Sequence, residues 1–253
     1  MRNPIVLARK ALQIPRQAVV YADWVIVPSV KAPFADLGIL QRVRVRFNSR
    51  RDLFSRAYRN ASWGSQESGS GTGSELRATE VVRANLPVLL ARYNIGVLLD
   101  APCGDWNWMQ HVDLSDVKYI GADVVPEVVK LNQQKHEDSN TSFFVADLTS
   151  DPLPHADAIL CRDCFIHMSY QDISAMLSNF RRSGATWLLA STYPDAKKNR
   201  NQFTGRKWRP LNMQLPPFNF PLPVEMLSDN DDINPTQLAV WRLEDLPEFK
   251  SRL

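Results

Sequence analysis

The sequence predicts an α/β fold, an open and largely parallel sheet covered by helices on both faces. Three observations predict it. From residue 96 to residue 190, short apolar runs alternate with helical patterns. Three of these runs end on an aspartate, at Asp100, Asp123 and Asp147. The first leads into the turn Asp100-Ala101-Pro102-Cys103-Gly104-Asp105, and such a turn after the first strand is where open α/β sheets bind nucleotide-like ligands.

The elements follow in order. Gly96–Asp100 reads as a buried strand and Trp106–His111 as a short helix. Lys118–Asp123 is the second strand, and Pro126 suits the first turn of a helix reaching about Gln134. Ser142–Ala146 and Asp157–Cys161 are the third and fourth strands. Ser169 and Asp172 resemble a capping box ahead of Ile173, Met176, Leu177 and Phe180, which share one helical face. Thr186–Ala190 is the fifth strand, and two strand-like runs follow near Val224–Leu227 and Gln237–Leu243. Upstream, Leu76, Val82, Leu86 and Leu89 or Leu90 recur at helical intervals, with Ser74 as a cap and Pro87 as a kink or break. Residues 194–223 are rich in proline, polar and aromatic residues, which suggests a functional loop or lid.

The chain has 253 residues and 44% hydrophobic content, enough for one sizeable core with appendages. Three cysteines make no even disulfide framework, so a reducing compartment is the simplest expectation. No apolar run is long enough to span a bilayer, and the start lacks a secretory pattern, so the expected location is cytoplasmic. The net charge of +3 is unevenly spread. Arginines 42, 44, 46, 50, 51, 56 and 59 crowd the first sixty residues, where Val43, Val45 and Phe47 alternate with three of them as in a strand or extended arm. Two segments are therefore expected, a basic extension over 1–60 and the α/β domain over 61–253. The extension reads as a solvated arm, as a peripheral contact with anionic membrane, or as a phosphate-binding arm. Residues 61–74 have the Gly/Ser composition of a linker, although Trp63 is unusual in one.

Several side chains carry chemistry. Gly104 permits close backbone approach to a ligand, and the next helix start offers N–H groups to a carboxylate. Asp123 is placed to accept both hydroxyls of a ribose, or else caps a helix. Asp147 is placed to accept from an adenine amino group with Leu148 against the ring, or else is a turn residue. Pro102 and Cys103 disfavour a pyrophosphate-binding loop. His167 follows the fourth strand, where a neutral imidazole suits a general base, and Asp163 competes for that role. Local packing is the alternative for His167. Cys161-Arg162-Asp163-Cys164 offers half a zinc site with no matching pair after it, so no metal is expected. Trp208, Arg209, Asn212, Asn219 and Phe220 supply stacking and hydrogen-bonding groups for an acceptor, or else cap the sheet edge.

The order DAPCGD, YIGAD, FFVADL and ADAILCRDCFIHM, over about residues 61–245, resembles the Rossmann-like class I S-adenosylmethionine-dependent methyltransferases. It looks closest to a bacterial group with a Trp63–Ser74 lead-in, the Cys161–Cys164 strand end and a Trp208–Pro221 segment. The resemblance implies a mostly parallel seven-stranded sheet with S-adenosyl-L-methionine as cofactor. Ser74, Asp100, Ala101, Cys103, Gly104, Asp105 and Arg162 would surround the methionine part. Asp123 and Val124 would hold the ribose, and Asp147 and Leu148 the adenine. The loop departs from the usual class pattern in having fewer glycines. The leading expectation is methyl transfer to a small-molecule or glycan hydroxyl, with an amino group as a variant. The alternative is a nucleic-acid-binding protein or RNA methyltransferase that uses the basic arm, and nucleic acid is the less favoured partner.

Overall fold

The computed structural model describes the backbone of residues 19–21, 24–27 and 41–44, and residues 49–206, 208–229 and 236–249 in full. The chain forms two compact units, Met1–Ser49 and Arg50–Leu253. In the first, β1 (Val19–Tyr21), β2 (Trp24–Val27) and β3 (Gln41–Arg44) form an antiparallel sheet in sequence order. Arg42 and Arg44 lie in β3, opposite Ile26 and Trp24, while Val45, Arg46 and Phe47 fall outside the described residues.

The second unit begins with α1 (Arg50–Arg59), eleven residues before the boundary that charge suggested. Then come α2 (Glu80–Arg92), β4 (Val97–Asp100), β5 (Lys118–Asp123), α3 (Pro126–His136) and β6 (Thr141–Val145). They are followed by β7 (Ala158–Cys161), α4 (Tyr170–Arg182), β8 (Trp187–Thr192), β9 (Glu225–Ser228) and β10 (Gln237–Arg242). The seven-stranded sheet has the order β6-β5-β4-β7-β8-β10-β9. Strands β4 to β8 pair in parallel, and β10 runs antiparallel to β8 and β9. Sequence order reverses between β4 and β7, and that switch point opens the crevice at the strand ends.

Alternate strand residues feed opposite faces. Leu99, Ile159, Leu188 and Trp241 pack with Ile173, Met176, Leu177 and Phe180 of α4. Leu98, Leu160, Leu189 and Val240 pack with Val82, Leu86, Leu89 and Leu90 of α2. Ser169 caps α4 as expected, its Oγ accepting from the Asp172 N–H at 3.1 Å. Pro126 takes the first turn of α3.

Two local expectations are corrected and a third, the kink or break at Pro87, is narrowed. Ser74 ends a short 3-10 turn, and α2 begins six residues later after Thr79, whose side chain makes no cap bond. Over Trp106–His111 only Met109–His111 is helical, as one 3-10 turn, because Trp106 has a left-handed φ of 59°. Pro87 does not divide α2. A mid-helix proline costs about 3 kcal/mol, but four buried apolar side chains on that helix contribute roughly 1.5–3 kcal/mol each.

The proline-rich segment is a packed cap. Leu211, Met213, Phe218 and Phe220 are buried in the α4 face of the core. Among the described residues, no helix is long and apolar enough to cross a membrane.

Candidate active site

A cavity of about 570 Å³ runs along the carboxyl ends of the parallel strands. Its floor is set by β4 and β5. Asp100 is buried at the end of β4, and the Tyr119 hydroxyl donates to it at 2.6 Å. Burial pushes the Asp100 carboxyl up to about 7, with Tyr119 and Arg162 holding it down. Asp123 accepts from the backbone N–H of Gly104 at 3.1 Å and of Val125 at 2.9 Å. Burial raises it to about 6 against those bonds. Asp123 therefore ties the β4 loop to the β5 end. Cys103 lies buried between them, and burial pushes its thiol well up. Asn132 of α3 donates to the Gly104 carbonyl at 2.8 Å.

The roof comes from α1 and the glycine-serine segment, which is no linker. Asp105 accepts from the Ser68 hydroxyl at 2.9 Å, the Gly69 N–H at 2.7 Å and the Ser70 hydroxyl at 2.8 Å. Ser70 also accepts from the Asp105 N–H and bonds the Tyr58 hydroxyl at 2.6 Å. Gly104 has a φ of 56°, and a Cβ there would stand 2.3 Å from Ser70 Oγ, so the two segments close on each other. Trp63 packs on Phe54, Tyr58 and His167. Arg50, at the start of α1, bridges Asp147 at 2.9 Å and Asp172 at 2.6 Å. Asp147 also accepts from the hydroxyl and N–H of Thr149.

The far end of the cavity is built by the turn after β7. Arg162 is buried, donates from Nε to both oxygens of Asp229 at 2.8 and 3.0 Å, and lies over the Trp108 ring. Burial opposes its charge, but Asp229 and Asp163 outweigh that and raise its pKa. Asp163 follows with a φ of 50°, and its N–H donates to Ser191 Oγ. His167 Nδ1 lies 3.0 Å from the Arg206 carbonyl oxygen. A carbonyl only accepts, so Nδ1 carries the proton and Nε2 keeps its lone pair. Burial lowers the His167 pKa below 6.5. Trp208 donates from Nε1 to the Tyr193 hydroxyl at 3.1 Å, and both line the cavity.

Of the residues singled out in the sequence, Ser74, Asp100, Cys103, Gly104, Asp105, Asp123, Val124, Asp147, Leu148, Arg162, Asp163, His167 and Trp208 line this cavity. Ala101 is fully buried in the core behind it. The structure does not bring Arg209, Asn212, Asn219 or Phe220 to the cavity wall. Arg209 donates to the carbonyls of Arg200, Ile166 and Met168, fixing the turn after β7 from outside. Asn212 donates to the Pro194 carbonyl, Asn219 takes a left-handed φ of 50°, and Phe220 packs on Trp241. Sequence reasoning missed Arg50, Phe54, Tyr58, Ser70, Tyr193 and Asp229. The signals for the roof are Trp63 in a glycine-serine stretch and the Trp63–Ser74 lead-in of the resemblance.

The donor set suits a cationic nucleoside better than a polyphosphate. Five aspartates, at 100, 105, 123, 147 and 163, line the cavity, while its two arginines, Arg50 and Arg162, are each already paired with carboxylates.

Residues 98–184 match the family model described as a methyltransferase domain. No curated protein matches the chain. The Burkholderia thailandensis 1,6-didemethyltoxoflavin-N1-methyltransferase, crystallised with 1,6-didemethyltoxoflavin and S-adenosylhomocysteine, is similar at 17% identity and a TM-score of 0.53, over 88% of this chain and 97% of that one. The magnesium protoporphyrin IX methyltransferase from Synechocystis PCC 6803, with bound S-adenosylmethionine, is similar at 14% identity and a TM-score of 0.51, over 78% and 99%. Human N-acetylserotonin methyltransferase matches at 16% identity and a TM-score of 0.37 over 57% of this chain, which spans only 38% of that protein. The fold is that of the Rossmann-like methyltransferases. Within the chain, the match to a methyltransferase domain is confined to residues 98–184.

Proposed function

We propose that the protein moves the methyl group of S-adenosylmethionine to a hydroxyl of a small-molecule or glycan acceptor, with an amino group as a variant. The observation that carries this reading is the juxtaposition of His167, with Nε2 available, and Asp163 at the β7 end of a cavity whose other end is lined by Asp123 and Asp147. When bound, the cofactor would supply an electrophilic methyl on a sulfonium, a group whose transfer to the acceptor oxygen would make a carbon–oxygen bond as the carbon–sulfur pair returns to sulfur. Asp123 accepts from the ribose hydroxyls, and Asp147 and Leu148 hold the adenine. The Asp100–Asp105 loop and Ser74 enclose the methionine part. His167 Nε2 takes the proton that the acceptor hydroxyl loses, and Trp63 and Trp208 flank the acceptor and exclude water. Small-molecule acceptors are named for the Burkholderia and Synechocystis enzymes, which supports this size class.

Calorimetric titration tests the cofactor part. The parent protein binds S-adenosylmethionine and S-adenosylhomocysteine, and Asp123→Ala weakens both by about a hundredfold, as expected for two lost hydrogen bonds to a charged group. No binding by the parent, or unchanged affinity in the variant, sinks it. Incubation with methyl-labelled cofactor and small-molecule, glycan, lipid and RNA fractions tests the acceptor. Label confined to RNA would overturn the small-molecule and glycan reading and favour the nucleic-acid alternative.

A further inference from the structure

Asp163 holds a carboxylate in an unusual way. Its φ of 50° lies in the left-handed region, which a non-glycine residue enters only when its surroundings hold it there. The Ser191 hydroxyl accepts from its N–H at 2.9 Å, and Arg162 Nη1 lies 3.3 Å from Oδ2. Gly73 leaves room on the other side, since a Cβ there would stand 2.8 Å from Oδ2. The remaining oxygen, Oδ1, is buried and has no hydrogen-bond partner among the described residues. Asp163 lines the cavity together with Gly73, His167 and Tyr193.

Arg162 does not neutralise this group by itself. Its Nε is taken by both oxygens of Asp229, and the two side chains are 5% and 0% exposed. One cation therefore faces two carboxylates. The Asp163 side chain is 27% exposed toward the cavity and shares Arg162 with Asp229, so its buried Oδ1 lacks a donor and its charge is only partly compensated until a ligand supplies both. A neutral ligand donor would satisfy the oxygen but not the charge.

The strand ends give the order of the ligand. Asp147, Asp123 and the Asp100–Asp105 loop follow β6, β5 and β4, and Asp163 follows β7 next to β4. With adenosine over β6 and β5, the charged sulfur falls toward the β4–β7 switch point. We propose that Asp163 is the counter-ion of the cofactor's sulfonium and so distinguishes the methylated cofactor from its demethylated product. This rests on the cofactor reading above. In this role Asp163 takes no proton, which leaves the base to His167. Once the methyl group has moved, sulfur is neutral, the attraction is gone, and product release is favoured over product retention.

The test compares three ligands by calorimetry: S-adenosylmethionine, S-adenosylhomocysteine, and an analogue with a protonated amine in place of the methylsulfonium. Asp163→Asn keeps the size and an acceptor oxygen but removes the charge. Both cationic ligands lose about tenfold in affinity while the neutral product changes by less than about threefold. Gly73→Ala, whose Cβ displaces the same carboxylate, shifts the same ratio in the same direction and serves if the first variant folds poorly. Equal losses for all three ligands, or an unchanged ratio in both variants, overturn the proposal. Failure of the parent to bind any of the three overturns the cofactor reading instead.

Discussion

Replacing His167 with alanine is expected to lower kcat by about 10²–10⁴-fold, with cofactor affinity changed by less than about threefold. The expectation follows from the ring's orientation. The Arg206 carbonyl oxygen, 3.0 Å from Nδ1, fixes the proton there, so Nε2 is the nitrogen able to accept one. Burial lowers the His167 pKa below its ordinary 6.5, so the neutral ring prevails at neutral pH. In the parent, kcat/KM then rises with pH through a value below 6.5 and levels off above it, and the acid limb disappears in the variant. The same shift has a stability sign. Between the folded pKa and 6.5 the unfolded chain binds more protons, so the contribution of His167 is present above 6.5 and is lost as pH falls. Undiminished kcat with the acid limb intact would remove His167 from proton transfer.

Arg162→Met is expected to destabilise the fold by about 3–5 kcal/mol, because it strands Asp229 without its partner. The Asp229 side chain is wholly buried, and Arg162 supplies the donor to both of its oxygens. Solvent cannot screen such a charge. The double variant Arg162→Met with Asp229→Leu recovers most of the loss, since an apolar pair leaves no orphaned charge. Urea denaturation of the parent and both variants measures this. A single variant within about 1 kcal/mol of the parent would mean that Asp229 is neutral in the folded protein.

Much of this was legible in the sequence, and the reasons are local. Leu98 and Leu99 feed opposite faces, Pro126 and Ser169 start helices, and the aspartates at 100, 123 and 147 mark strand ends. Each signal is contained in a few neighbouring residues. What was not legible depends on partners far apart in the chain. The glycine-serine stretch has the composition of a linker, yet Ser68, Gly69 and Ser70 are ordered by Asp105, at least thirty-five residues away. Arg50 counted as one more charge of a basic arm, whereas it bridges Asp147 and Asp172. Asp229 lies in an acidic run, and its pairing with Arg162 spans sixty-seven residues. Arg209 and Asn212 have the residue types of a binding loop, but backbone carbonyls of the cap and of the turn after β7 take their donors.

The roof over Gly104 has a thermodynamic consequence. Ser70 and Tyr58 meet each other above the same glycine that Asp123 holds from below, so docking of α1 and filling of the cavity are linked equilibria. Linkage is reciprocal: whatever factor the docked helix adds to cofactor affinity, the cofactor adds to the population of the docked helix. Amide exchange in α1 and the Ser68–Ser70 segment is therefore a gauge of occupancy. Slower exchange at saturating cofactor measures, in the same free-energy units, how much of the binding is invested in closing the roof.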